Sequence, residues 1–320
     1  MKKYFIAVIS VLLLGFLTSC GTKDVYTDYD KALAASKAKN KDLMLIFTAT
    51  DSNKDDSSIS ELEKINNNIF NSEDFISGVK ENYIVCTLVY EIPSPGETDT
   101  EENLKIQDLM NYYRVPNVPS IYLILPQGDV YALPVVTDEN SVDGKTFAEY
   151  ILTFSEEREE ILAALEAINN SQGEERLANL DNFISMSDQY ILHLQKPYME
   201  EIVELAKDNN DELYTKYSFI LGDIKAADFF VNGDVNSAIK VFEEMLETLV
   251  TMTNEQKQNA YYKLAYLSSF ATSDYNVTLN YLDQAINIDP TNAFSAELIK
   301  FKTEMEEAVE QQEAAATAGQ

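Results

Sequence analysis

Lys41-Asp42-Leu43-Met44-Leu45-Ile46-Phe47-Thr48-Ala49-Thr50-Asp51 is the stretch on which the fold turns. Its centre, Leu43 to Phe47, is an unbroken apolar run with polar residues on either side. A run that short and continuous belongs to a strand covered on both faces, as the central strand of an α/β sheet is. Before it, Tyr29 to Lys39 reads as a helix carrying Ala32, Leu33, Ala34, Ala35 and Ala38. After it comes a polar segment and then a helix with Ile59, Leu62, Ile65, Ile69 and Phe70 at helical spacing. A further helix from about Asp74 to Glu81 leads into the β-branched strand Tyr83 to Tyr90. Beyond a Pro/Gly/acidic loop, a helix over Leu104 to Tyr113 precedes the strand Ile121 to Leu125. The turn Pro126 to Asp129 and a strand Val130 to Val136 follow. That succession predicts an α/β domain with a mixed sheet and flanking helices.

Several of these pieces resemble secreted thioredoxin-like proteins. In many of those, the central strand ends in Phe-Thr-Gly-Ser-Asp, followed by Trp-Cys-x-x-Cys; here Phe47-Thr48-Ala49-Thr50-Asp51 is similar. Laid on that pattern, Ser52 replaces the tryptophan, Asn53 the first cysteine and Asp56 the second. Val118-Pro119-Ser120 resembles the Val-Pro-Thr of the family, which implies a cis bond before Pro119. Pro126-Gln127-Gly128 resembles the hairpin turn. The match covers residues 29–155, and the long spacing from Phe47 to Phe70 implies an insertion in the first turns of the active-site helix. Thiol–disulfide exchange needs an attacking thiolate and a resolving thiol. Asn53 and Asp56 supply neither, so the resemblance implies the fold without its redox reaction. Asp51 to Asp56 also alternates oxygen ligands like the start of a calcium loop. Asp56 stands where that loop needs glycine and Leu62 where it needs glutamate, so a solvated capping loop is the expectation.

The N-terminus carries a second resemblance. Met1-Lys2-Lys3 is a short positive region and Tyr4 to Leu17 an apolar run with the length of a signal-peptide core. It ends in Leu17-Thr18-Ser19-Cys20-Gly21, which resembles the bacterial lipobox. The resemblance implies a signal peptide over residues 1–19, lipid on Cys20, a membrane tether over residues 20–28, and a place in the bacterial cell envelope. With Cys20 so assigned, Cys86 stands alone among the two cysteines, and no internal disulfide or dithiol pair is expected. Its place in a β-branched run predicts a small buried hydrophobe rather than a reactive thiol.

From Ser155 onward the chain is polar, with apolar residues three and four apart. Helices are predicted near 156–168, 174–187, 196–208, 211–231, 236–250, 255–271, 275–288 and 292–310, joined by short connections as helical hairpins require. Two hairpins resemble degenerate tetratricopeptide repeats. One is Tyr261-Tyr262-Lys263-Leu264-Ala265 with Tyr281 to Pro290; the other is Gly233 to Ile239 with Phe242 and Leu246. Ala238 and Thr278 fall at equivalent places, a period of 40 residues, with Thr278 departing from the usual alanine. Such repeats imply an all-α domain over residues 156–310 that binds a protein or peptide, with residues 311–320 as a flexible tail. Its aromatic stripe (Tyr214, Tyr217, Phe219, Phe229, Phe230, Phe242, Tyr261, Tyr262 and Tyr266) is expected to be core.

Chemistry-bearing motifs are scarce. The one histidine, His193, has no cysteine or second histidine to complete a metal site or a nucleophilic triad. There is no phosphate-binding glycine loop, and no catalytic group, metal or cofactor is expected. A formal net charge of −30 disfavours nucleic acid and anionic lipid as partners and favours cationic ones. Two functions compete: a non-enzymatic binding module, and a one-cysteine oxidoreductase using Cys86. They separate on the accessibility of that thiol.

Overall fold

The computed structural model describes residues 25–51, 57–94 and 96–318. The chain divides into two compact units between Ile161 and Leu162. In the first, a five-stranded sheet runs in the order β1-β3-β2-β4-β5, with β1 Val25–Tyr26, β2 Asp42–Asp51, β3 Tyr83–Ile92, β4 Ser120–Ile124 and β5 Val130–Ala132. The strand β2 is central, parallel to β3 and antiparallel to β4. Leu43 to Phe47 are fully buried, as a strand covered on both faces requires. The helices are α1 Tyr29–Lys39, α2 Ser57–Ile65, α3 Glu73–Val79, α4 Glu101–Tyr113 and α5 Gly144–Leu152. Mixed sheet, strand order and flanking helices together give a thioredoxin-like fold.

Several boundaries differ from the sequence reading, each for a local reason. β2 continues to Asp51 because β3 pairs with it throughout, ending at Asp51 opposite Ile92. The threonines past the apolar run find polar partners: Thr48 Oγ1 donates to Asn66 Oδ1 at 2.8 Å, and Thr50 Oγ1 to Glu63 Oε1 at 3.3 Å. α2 widens into a π-helical turn over Asn66–Phe70, which carries Asn66 to Thr48 and buries Ile69 and Phe70. α4 begins at Glu101, three residues before Leu104, because Thr100 accepts from the Asn103 amide and caps the helix. β5 ends at Ala132 rather than Val136, and the expected tether already contains β1.

The second unit is wholly helical. α6 Ser155–Asn170 straddles the division, so the boundary lies inside this helix rather than before residue 156. α7 Gly173–Met186, α8 Lys196–Ala206, α9 Asp211–Val231, α10 Val235–Thr248, α11 Asn254–Ala271, α12 Tyr275–Ile288 and α13 Ala293–Ala318 follow. A 3-10 segment, Gln189–Gln195, precedes α8 and was not foreseen. From α7 to α13 each helix packs on the next. At Gly222 a Cβ would lie 2.2 Å from Met245 Sδ, so the glycine lets α9 and α10 approach closely. α13 continues to Ala318, through the segment that the sequence assigns to a tail.

Candidate functional site

The expected redox end of the sheet is built by β2 and the turn before β4. Ser120 pairs with Phe47, which sets Pro119 beside the C-terminal part of β2. The Val118–Pro119 peptide bond is cis, and Ser120 Oγ donates to the Asn117 carbonyl at 2.6 Å, holding the turn. Asn53 and Asp56, the degenerate redox positions, lie outside the described residues, as does Cys20.

Cys86 sits in the middle of β3, between Leu45 on β2 and Tyr26 on β1. It is fully buried and unbonded to another cysteine. Burial pushes its thiol up to about 12, with the negative charge of Asp28 adding to the effect. A thiol so placed is almost entirely protonated at neutral pH and presents no thiolate.

At the start of α1, Tyr29 forms an aromatic cluster with Phe47, Tyr113 and Tyr122. The Tyr29 and Tyr113 hydroxyls lie 2.9 Å apart, and Tyr122 donates to the Tyr113 carbonyl at 3.1 Å. Tyr113 and Tyr122 pack ring to ring with centroids 4.9 Å apart. Burial raises all three phenols, Tyr122 to about 12, so they are neutral hydrogen-bonding groups rather than bases.

The opposite end of β2 starts with a buried carboxylate. Asp42 accepts from Arg158 Nε at 2.6 Å and Nη2 at 3.2 Å, a two-pronged pair. Arg158 is raised mainly by its hydrogen bond to Asp42. The Tyr83 and Tyr131 hydroxyls meet beside this pair at 2.9 Å. This arrangement ties the start of α6 to the sheet and accounts for the unit boundary falling beyond Arg158.

In the helical unit, the equivalent positions Ala238 and Thr278 are both buried. The hydroxyl at Thr278 meets Ser268 Oγ at 2.9 Å, so the departure from alanine is matched by a polar partner. The aromatic stripe is buried or half-buried except Tyr266, which remains 46% exposed and packs against Phe230 and Phe270. His193 belongs to the 3-10 segment. Among the described residues no cluster of His, Cys, Asp or Glu has a metal-binding arrangement, and no helix is long and apolar enough to cross a membrane.

The sequence reading singled out none of the clefts beside the sheet. One of about 730 Å³ lies between the start of α1 and α4 and has a charged lining. Its only sequence signal is the density of acidic residues around Asp28 and Glu101, which is ordinary for this chain.

Comparisons with known proteins give modest likenesses. A family model described as "Uncharacterised protein C-terminal domain" matches residues 213–313. None of the curated proteins matches the chain. Among solved structures, a DsbH oxidoreductase is similar at 20% identity, covering 40% of this chain and 81% of its own, with a TM-score of 0.33. A thioredoxin from Thermus thermophilus is similar at 18% identity, covering 41% of this chain and 85% of its own, with a TM-score of 0.30.

Proposed function

We propose that this protein is a lipid-anchored, non-redox binding module of the bacterial cell envelope. In this reading a thioredoxin-like unit is joined to tetratricopeptide-like hairpins that recruit a protein or peptide. The observation that carries the non-redox part is Cys86, fully buried in β3 with its thiol pushed up to about 12. With Asn53 and Asp56 at the two cysteine positions of the resemblance, no second thiol exists to resolve a mixed disulfide once Cys20 holds lipid. The anchor rests on the lipobox resemblance at Leu17 to Cys20, and the recruiting role on the helical hairpins with their repeat-like spacing.

Thiol titration tests the first part. A chain beginning at residue 20 with Cys20→Ser is treated with a chromogenic disulfide reagent, first folded and then in denaturant. Reaction of Cys86 only after unfolding is expected; fast reaction in the folded protein favours the one-cysteine oxidoreductase instead. Labelled palmitate, incorporated by the full chain and absent from Cys20→Ser, tests the anchor. Binding through the hairpins predicts that deleting residues 162–320 abolishes recovery of the partner they recruit.

A further inference from the structure

The aromatic stripe of the helical unit leaves the core at one place. Phe230, near the end of α9, meets Tyr266 and Phe270, near the end of α11, with ring centroids 5.9 and 5.2 Å away. Tyr266 and Phe270 lie one helical turn apart on the same face of α11, their centroids separated by 5.1 Å. Phe270 is 58% exposed, Tyr266 nearly half, and Val231, next to Phe230 in the chain, is 77% exposed. The three rings rest on one another while two of them stay open to water. Large apolar side chains gathered at a surface in this way mark a place where something else binds.

The surroundings of the rings decide which chemistry fits. α9 ends at Val231 and α11 at Ala271, and neither has a basic residue in its last turn. The rings thus lie at two helix ends whose partial charge is negative and is not offset within the helix. Residues 228–234 and 270–276, which span the two turns, hold Asp228, Asp234 and Asp274 and no Lys or Arg. Lysines one or two turns back are engaged: Lys263 with Asp223 at 3.2 Å, and Lys225 over the Phe229 ring. A second copy of the chain would bring its own formal charge of −30 to this negative surface, so charge argues against self-association. Nor do the rings make a flat platform for a planar or sugar-ring ligand, since their planes are inclined at 54°, 74° and 61° to one another. A side chain with an apolar stem and a positive head suits both properties. Its methylenes cover the rings, and its cation faces the helix ends and the negative ring faces.

On the reading that the helical unit recruits a protein or peptide, on which this step rests, we propose that it does so at the Phe230, Tyr266 and Phe270 patch. The patch takes a Lys or Arg side chain set between apolar residues of the partner. Those apolar neighbours cover Val231 and the open side of Phe270.

The test uses the lipid-free chain from residue 20 with Cys20→Ser, at about 0.15 M salt to screen general attraction to an acidic protein. The probe is a fluorescein-labelled decapeptide alternating Leu and Lys. The same peptide with every lysine acetylated keeps the stems and removes the charge. Saturable binding of the first is expected, weaker by about tenfold or more for the second, with slowed amide exchange around Phe230 and Phe270. Val231→Lys, at a site too exposed to disturb folding, should weaken binding by a similar factor. Val250→Lys is the same change on an 85% exposed residue just past the far end of α10, and should leave binding as it was. Phe270→Ala, which alters no charge, should also weaken it. Equal effects of the two lysine variants, or equal binding of the charged and acetylated peptides, overturn the proposal. Binding that slows exchange elsewhere in residues 162–318 and ignores Val231→Lys overturns the patch and leaves the recruiting role standing. No binding, or exchange slowed only in residues 25–161, overturns the patch and counts against the recruiting role as well.

Discussion

At the scale of single residues, two buried side chains make opposite demands on their surroundings. Cys86 is fully buried among β-sheet neighbours, so a replacement is judged by polarity before size. Cys86→Ala leaves a small cavity and should cost about 1 kcal/mol, whereas Cys86→Ser strands a hydroxyl in the same place and should cost about 2 kcal/mol. Urea denaturation followed by circular dichroism ranks the two; a reactive, solvated thiol would give no such order. Asp42 and Arg158 differ in exposure, at 3% against 30% for the side chains. Removing Arg158 leaves a nearly buried carboxylate without its ion partner, while removing Asp42 leaves a guanidinium that can turn outward and still meets Glu159. Arg158→Met should therefore cost about 3 kcal/mol and Asp42→Asn about 1 kcal/mol in the same measurement. Equal costs would mean that Tyr83 and Tyr131 carry more of the carboxylate than the ion pair does.

At the scale of elements, close approach is set by particular small residues. Gly144 opens α5, and a Cβ there would lie 1.8 Å from Ser72 Oγ and 3.1 Å from the Phe75 backbone nitrogen. Ser72 Oγ is the cap of α3, accepting from the Phe75 amide at 3.2 Å. Gly144→Ala thus does two things at once: it pushes α5 off α3 and dislodges the cap. It should destabilise by about 2 kcal/mol, against about 1 kcal/mol for Ser72→Ala, which loses the cap and the Ser72 Oγ bond to the Ile69 carbonyl but leaves the helices in place. Thermal denaturation of the two variants checks the order. Elements of this kind were legible in the sequence where one rule governed them. Leu43 to Phe47 could only be a doubly covered strand, and Tyr29–Lys39 was found to the residue. Illegible were features made by contacts distant in sequence. The π-helical turn at Asn66–Phe70 brings Asn66 to Thr48 on β2, and β5 stops at Ala132 although its apolar run continues. The cleft between α1 and α4 escaped for the same reason: its lining comes from segments far apart in sequence, each ordinary by itself. Cys86 is the reverse case, its burial being readable directly from Ile84-Val85-Cys86.

At the scale of the whole molecule, charge governs the response to solution conditions. A net charge of −30 opposes compaction at pH 7, so screening should stabilise the protein. Acidification acts in two stages. Down to about pH 5, carboxylates without strong partners begin to protonate, self-repulsion falls, and stability should hold or rise. Below that, specific carboxylates matter. Burial pushes Asp181 up, but hydrogen bonds from Lys216 at 2.7 Å and Tyr217 at 2.6 Å outweigh it and hold the carboxyl below the usual range. Glu201 is lowered chiefly by its hydrogen bond from Arg176. A carboxyl lower in the folded than in the unfolded chain adds stability that is complete above the unfolded value, about 4, and disappears as pH falls through the folded one. Melting temperature should therefore be level or higher at pH 5 than at pH 7, then fall steeply below pH 4, as differential scanning calorimetry would record. Added sodium chloride should raise it at pH 7 and do less at pH 5, where there is less repulsion to screen. A melting temperature that salt lowers at pH 7 would mean that the ion pairs, Asp42–Arg158 and Asp181–Lys216 among them, outweigh the repulsion of the acidic surface.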